Sequence, residues 1–315
     1  MTIQYRRSPS AVVAPPLAGA MALAKPVFAL CVLMSLGGCK EGILAPAGRV
    51  GAAEYLILLN SLAIMLAVVI PTLLAAVAFA WWFRASNTRA RYRPTWAYSG
   101  RLELVVWSIP ALVIFFLGGV IWIGSHKLDP ATPLASDHEP LEIQVVSLDW
   151  KWLFIYPGQG IASVNQLVVP AGIPLHFSLT SASVMNVFWV PQLGSMIYTM
   201  NRTVTQLYLE AGRPGVFYGE SAQFSGDGFS GMHFDVRAIP QAEFSGWLAS
   251  VRRAGPELDR ASYVQLSRQT QDVRPFTYRA VDPDLFKAVV SQQLAPGPGP
   301  DSGHSGSAPH PARQD

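Results

Sequence analysis

Residues 55–83 read YLILLNSLAIMLAVVIPTLLAAVAFAWWF, twenty-nine positions without one charged side chain. Asn60, Ser61 and Pro71 interrupt the apolar character. At about 1.5 Å of rise per residue, a helix of this length exceeds the roughly 30 Å hydrocarbon core of a bilayer, so it spans with tilt or with a kink at Pro71. A second run, 104–124, is also long enough, and its Pro110 is tolerated where neighbouring groups re-satisfy the freed carbonyl. Trp81, Trp82, Trp107 and Trp122 fall near the ends of the two runs, where amphipathic rings favour the membrane–water interface. The first half of the chain therefore reads as a transmembrane hairpin.

Arg84, Arg89, Arg91, Arg93 and Arg101 lie between the runs, with no Asp or Glu among them. The positive-inside rule assigns this loop to the cytoplasm and everything after the second run to the periplasm. The N-terminal side agrees. Lys25 precedes a short apolar run, 27–36, that ends in Leu36-Gly37-Gly38-Cys39. A charged start, a run too short to span and small residues before a cleavage point describe a secretory signal over 1–38. Residues 1–20 are long for such a leader, and a start at Met21 gives a compact one.

Composition says what else follows. Half of the residues are apolar and only 14% are charged, too greasy a balance for an ordinary soluble protein. The net charge of +3 comes with no basic face and no reading motif, which argues against nucleic acid as a partner. The only cysteines are Cys31 and Cys39, so disulfides and thiolate metal sites are excluded from the rest of the chain.

Beyond the linker at 127–140, short stretches with strand character occupy 141–147, 153–156, 163–169, 175–180, 187–190, 204–209 and 232–238. Pro170-Ala171-Gly172, Arg213-Pro214-Gly215 and Gly226-Asp227-Gly228 supply turns. Seven short strands at this spacing predict a Greek-key β-sandwich over 141–240. From 241 to 294 the pattern becomes helical and aromatic, with Phe244, Trp247, Leu248 and Val251 on one face. Residues 295–315 are rich in Pro, Gly and Ser and read as a disordered tail, in which His304 and His310 are solvated. The fold class is α+β, a membrane hairpin followed by a sandwich and a helical segment.

Several motifs carry a family resemblance. Glu103-Leu-Val-Val-Trp107-Ser-Ile-Pro110 opens the second run, and Asp149-Trp150-Lys151-Trp152 opens the sandwich. Ser183-Val-Met-Asn186 follows, and then the stretch 214–232, PGVFYGESAQFSGDGFSGM. In this order and spacing they resemble subunit II of the haem–copper terminal oxidases, from about residue 39 to residue 290. The resemblance implies a cupredoxin-like sandwich. Leu36-Gly37-Gly38-Cys39 is similar to a bacterial lipobox, which implies a diacylglycerol thioether on Cys39. A plain cysteine in an apolar segment is the other reading.

Members of this family that oxidise cytochrome c hold a dinuclear copper centre in the sandwich, built from two Cys, two His, a Met and a Glu carbonyl. Aligned on the flanking Pro-Gly and Gly residues, the Cys positions fall on Ser221 and Ser225. The His positions fall on Asn186 and Phe229, and the Glu position on Gln223; only Met232 survives. Soft copper sites need thiolate and imidazole donors, whereas a serine hydroxyl stays protonated and a phenyl ring offers no lone pair. His176 and His233 read as ordinary strand residues. The chain is expected to hold no metal and no cofactor.

These departures are similar to the quinol-oxidising branch, in which ubiquinol delivers electrons directly to subunit I. The resemblance implies a complex that oxidises ubiquinol, reduces O₂ to water and pumps protons. Its haem groups and a copper ion would belong to subunit I. Subunits I, III and IV and membrane lipid are the expected partners, and cytochrome c is not. Rival readings are a menaquinol oxidase subunit and a tethered cupredoxin-like binding module outside any oxidase. Glu103 carries two readings as well. An acidic group at the mouth of a span invites a proton-channel role with subunit I, and the family motif points the same way; the plainer reading pairs it with Arg101 at the interface. Trp150 and Trp152, placed as alternating residues of one strand face, read as packing residues, and Glu54 as an interfacial carboxylate.

Overall fold

The structure, a computed structural model, describes residues 42–91 and 93–299. The leader, Cys39 and residues 300–315 lie outside the described residues. Helix α1 spans Arg49–Trp82 and helix α2 Gly100–Lys127. Both are long and apolar enough to cross a membrane. Helix α1 begins ahead of its charge-free run and ends at Trp82, whereas α2 extends past its run at both ends. Pro71 and Pro110 lie inside continuous helices. Large apolar side chains such as Leu74, Phe79, Phe115 and Trp122 point outward, as lipid or a partner subunit requires.

The sandwich comprises β1 (Leu141–Leu148), β2 (Lys151–Tyr156), β3 (Ile161–Val164), β4 (Gln166–Pro170), β5 (Pro174–Ser181), β6 (Asn186–Trp189), β7 (Ile197–Thr199), β8 (Thr205–Glu210), β9 (Gly215–Ser221) and β10 (His233–Ile239). After it come α3 (Gln241–Arg253), β11 (Glu257–Leu258), α4 (Arg260–Leu266), β12 (Phe276–Tyr278), β13 (Ala280–Val281) and α5 (Leu285–Val290). One sheet runs β12-β3-β2-β1-β5-β8 and the other β4-β10-β9-β6-β7. The pairs β1–β5 and β4–β10 are parallel, so the connections between them must cross the sandwich, as Greek-key winding does.

Alternation sorts each strand between two cores. Ile143 and Val145 of β1 and Trp152, Phe154 and Tyr156 of β2 face the opposite sheet. The intervening Val146, Leu148, Leu153 and Ile155 face outward but are buried too, beneath Leu258, Tyr263, Leu285 and Phe286. With both faces covered, β2 is buried at every position, and its residues read as a short apolar run. In the inner core Trp152, Phe154, Phe188 and Phe234 meet at ring-centroid distances of 5.1–6.4 Å. Such pairs add about 0.5–1.5 kcal/mol each beyond the area they bury.

The structure differs from sequence expectation at particular places. The stretch 163–169 divides into β3 and β4, which belong to different sheets. Asn165 makes the crossover with φ +54°, accepting from Trp152 N at 2.8 Å and donating to Val273 O at 2.8 Å. Strands β7 and β9 had no counterpart in the sequence reading. Trp150 is not on a strand face with Trp152; it sits in the β1–β2 turn at φ +63°. Residues 254–294 are only partly helical, and β12 extends the six-stranded sheet through β3. Residues 297–299, assigned by composition to the tail, are hydrogen-bonded to the sandwich: Gly297 N to Ala182 O at 2.8 Å and Gly299 N to Asp149 Oδ2 at 3.1 Å.

Candidate functional site

The end of β9, the start of β6 and the 222–232 loop converge at one edge of the sandwich. There the Ser221 hydroxyl donates to Asn186 Oδ1 at 3.2 Å, with Gln223 O a second acceptor at 3.3 Å. Asn186 Nδ2 donates to Val184 O at 3.3 Å, and Ser225 Oγ lies 3.9 Å from Met232 Sδ. Ser221 N donates to Met232 O at 3.2 Å and Met232 N to Phe229 O at 3.0 Å. Asn186, Ser221, Ser225 and Met232 are all buried. Phe229 packs edge-on against the exposed Phe224, with centroids 5.6 Å apart. The six positions singled out in the sequence are therefore brought together, and Met232 is also part of the inner core.

A dinuclear copper centre does not fit this donor set. The groups are two hydroxyls, two amides, a phenyl ring and one thioether, and the Ser221 hydroxyl and the Asn186 amide are spent on hydrogen bonds. Among the described residues no group of three or more His, Cys, Asp or Glu is placed to hold a metal ion. His176 lies elsewhere, on β5, with Nδ1 2.7 Å from Glu142 Oε2 and its ring stacked on Tyr208. His233 is exposed and stacks on Tyr218.

Sequence reasoning missed the frame beneath this edge. Trp150 Nε1 donates to Ser225 O at 3.0 Å, pinning the loop from below. Asp149, 5% exposed, accepts from the Ser183 hydroxyl and from Gly299 N. Lys151, 1% exposed, donates from Nζ to Asp149 O at 3.2 Å, Arg268 O at 2.7 Å and Thr270 Oγ1 at 2.7 Å. Loss of hydration lowers its pKa from 10.5 to about 8, against the opposing pull of Asp149. The signal was present in the sequence: a lysine flanked by two tryptophans at the head of an apolar stretch has to find acceptors inside the fold.

A second junction seats α1 on the sandwich. Arg49 forms an ion pair with the buried Glu210, and its Nη1 donates to Ala135 O at 2.7 Å. Ala47 N donates to Gln192 O at 2.7 Å, Gly51 N to Leu193 O at 2.9 Å, and the Ser195 hydroxyl to Glu54 Oε1 at 2.6 Å. Glu54 is thus tied to the sandwich. Glu103 stands apart from both sites, in the first turn of α2, and no ion pair links it to Arg101 among the described residues.

Fold and site together define a class: two long apolar helices followed by a two-sheet β-sandwich, with hydroxyl, amide, phenyl and thioether groups gathered at one edge. Residues 142–239 match the family described as cytochrome c oxidase subunit II, periplasmic domain, and residues 252–297 match the COX aromatic rich motif. The chain is 45% identical to cytochrome bo(3) ubiquinol oxidase subunit 2 of Pseudomonas aeruginosa, over 84% of this chain and 80% of that one. It is likewise 45% identical to ubiquinol oxidase subunit 2 of Acetobacter aceti, over 82% and 84%. The solved periplasmic domain of subunit II of cytochrome oxidase from Bradyrhizobium japonicum covers 39% of this chain and 98% of its own length, at 23% identity and a TM-score of 0.36. The chain belongs to the ubiquinol oxidase subunit 2 family, and its sandwich is the cupredoxin-like domain of that family.

Proposed function

We propose that this chain is a non-redox subunit of a proton-pumping terminal oxidase that takes electrons from ubiquinol. The observation that carries the reading is the cluster at Ser221, Asn186, Ser225 and Met232, whose hydroxyl and amide groups satisfy one another where copper-bearing relatives need thiolates and imidazoles. A chain without that centre has no means of taking electrons from cytochrome c. Its work is then assembly and the shielding of subunit I, which would carry the haem groups and a copper ion. Subunits III and IV complete the complex, and menaquinol is the less supported donor.

The protein sits in the bacterial inner membrane as a multi-pass chain, with the arginine loop in the cytoplasm and the sandwich in the periplasm. Cys39 is a lipoprotein anchor, bearing diacylglycerol and an amide-linked acyl chain such as palmitate once the signal is removed. Glu103 serves as a proton-channel mouth with subunit I, which is why an acidic side chain stands in the first turn of α2 with no cation paired to it among the described residues.

Oxygen uptake by the purified complex tests the donor. Uptake is expected on ubiquinol and not on reduced cytochrome c; uptake on cytochrome c alone overturns the assignment. Replacing Glu103→Gln is expected to slow turnover and proton uptake together. Unchanged rates of both remove the channel role while leaving the donor assignment intact.

A further inference from the structure

The loop joining α1 to α2 borders an open cavity of about 980 Å³. One wall is apolar and comes from the helices, with Phe79 and Trp82 at the end of α1 and Leu102 at the start of α2. The other wall is cationic, with Arg89, Arg91 and Arg93. None of these three arginines pairs with a carboxylate among the described residues, whose ion pairs use Arg49, His176, Arg260 and Arg279. Arg84, which also borders the cavity, is engaged elsewhere: Nη1 donates to Trp81 O at 2.8 Å and the guanidinium lies 4.9 Å from the centre of the Trp81 ring.

Three cations lining one cavity raise its local positive potential, and an anion held among them relieves their mutual repulsion. The apolar wall continues the outward-facing apolar flank of α1, so the cavity matches a ligand with an anionic head and a hydrocarbon body. Its depth agrees, because the loop begins directly after the charge-free run, at the level where lipid phosphates lie. A free phosphate would leave Phe79 and Leu102 without a role. We propose that this cavity seats the phosphate of an anionic phospholipid, with its acyl chains along the end of α1. Placement in the inner leaflet rests on the orientation proposed above; the site itself does not.

Native mass spectrometry of the complete, delipidated oxidase complex tests the site. The complex is titrated with dioleoyl phosphatidylglycerol, with dioleoyl phosphatidylcholine, and with inorganic phosphate as competitor. The wild type is expected to prefer phosphatidylglycerol and to keep it against millimolar phosphate. A triple variant, Arg89→Gln, Arg91→Gln and Arg93→Gln, is expected to bind it about fivefold more weakly per arginine, on the order of a hundredfold in all. The corresponding triple Lys variant is expected to retain most of the affinity, which separates lost charge from a misfolded loop. Equal binding by wild type and the Gln variant overturns the proposal, as does displacement by phosphate. A complex that takes up no phosphatidylglycerol, as when a neighbouring subunit's acidic segment fills the cavity, overturns it too.

Discussion

Lys151 shows how one side chain can set a pH dependence for the whole domain. Its ammonium is buried, its pKa in the fold is about 8, and its ordinary value is 10.5. Below pH 8 both the folded and the unfolded chain carry the proton, and the cost of burying the charge is constant. Between pH 8 and 10.5 the fold releases the proton first, so the unfolded chain binds more protons and stability rises with pH. The gain is complete above 10.5 and amounts to about 3 kcal/mol at most. Buried Tyr156 and Tyr263 act oppositely, because burial pushes their phenols up and the stability they contribute is lost above the usual phenol range. The comparison that isolates the lysine is therefore wild type against Lys151→Met. Thermal unfolding of the sandwich, followed by tryptophan fluorescence in the solubilised complex, should rise between pH 8 and 10 more steeply in the wild type. Parallel profiles would show that the lysine is hydrated in solution. Trp150 makes a smaller claim: Trp150→Phe removes the bond to Ser225 O, costing about 1 kcal/mol and loosening the 222–232 loop, which hydrogen exchange at that loop would detect.

At the scale of elements, the seat of α1 is governed by backbone contact. A Cβ on Gly48 would lie 2.1 Å from Glu210 O, and backbone cannot swing aside as a side chain can. Gly48→Ala is expected to cost about 1–3 kcal/mol, to lower the unfolding temperature of the sandwich by several degrees, and to open the segment before α1 to protease. Gly246 is the contrast, exposed on α3 with nothing within 4 Å of a Cβ. Gly246→Ala should stabilise by about 0.5–1 kcal/mol, a rise in unfolding temperature rather than a fall. The same close contacts explain which elements could be read from the sequence. The two long apolar helices were legible because a charge-free run needs no tertiary information. Strand β9 was not, because Pro214-Gly215 and Gly219 look like chain breakers. Yet Gly219 sits in the strand because the Phe234 ring fills the space where its Cβ would be. Asn165 and Trp150 were misplaced for a related reason, since a positive φ held by tertiary hydrogen bonds leaves no local pattern. The edge cluster was legible through its motif positions, while the bonds from Ser221 to Asn186 and from Trp150 to Ser225 depend on strand order.

For the whole molecule, the segment after α3 completes the sandwich. Its Leu258, Tyr263, Leu266, Leu285, Phe286 and Val289 cover the outer face formed by Leu148, Leu153, Ile155, Ala162 and Val164. Each large side chain so buried contributes about 1.5–3 kcal/mol, and several together exceed the roughly 5–15 kcal/mol by which a domain is stable. The same segment supplies two of the three acceptors of Lys151, Arg268 O and Thr270 Oγ1. A chain ending at Arg253 loses both the cover and the charge solvation, and it should fail to accumulate as a folded subunit. Adding Lys151→Met to that truncation should not rescue it, because the exposed apolar face dominates over one uncompensated cation. A chain ending at Ala295 is a graded comparison. It loses bonds that include Gly297 N to Ala182 O, Gly299 N to Asp149 and Gln269 Nε2 to Gly299 O, about 2–4 kcal/mol in all, and should fold and assemble with a lower unfolding temperature. Protease resistance of the three chains, read beside their yield in the membrane, separates the contributions. Rescue of the short chain by Lys151→Met would mean that the buried charge, and not the apolar face, decides whether the sandwich closes.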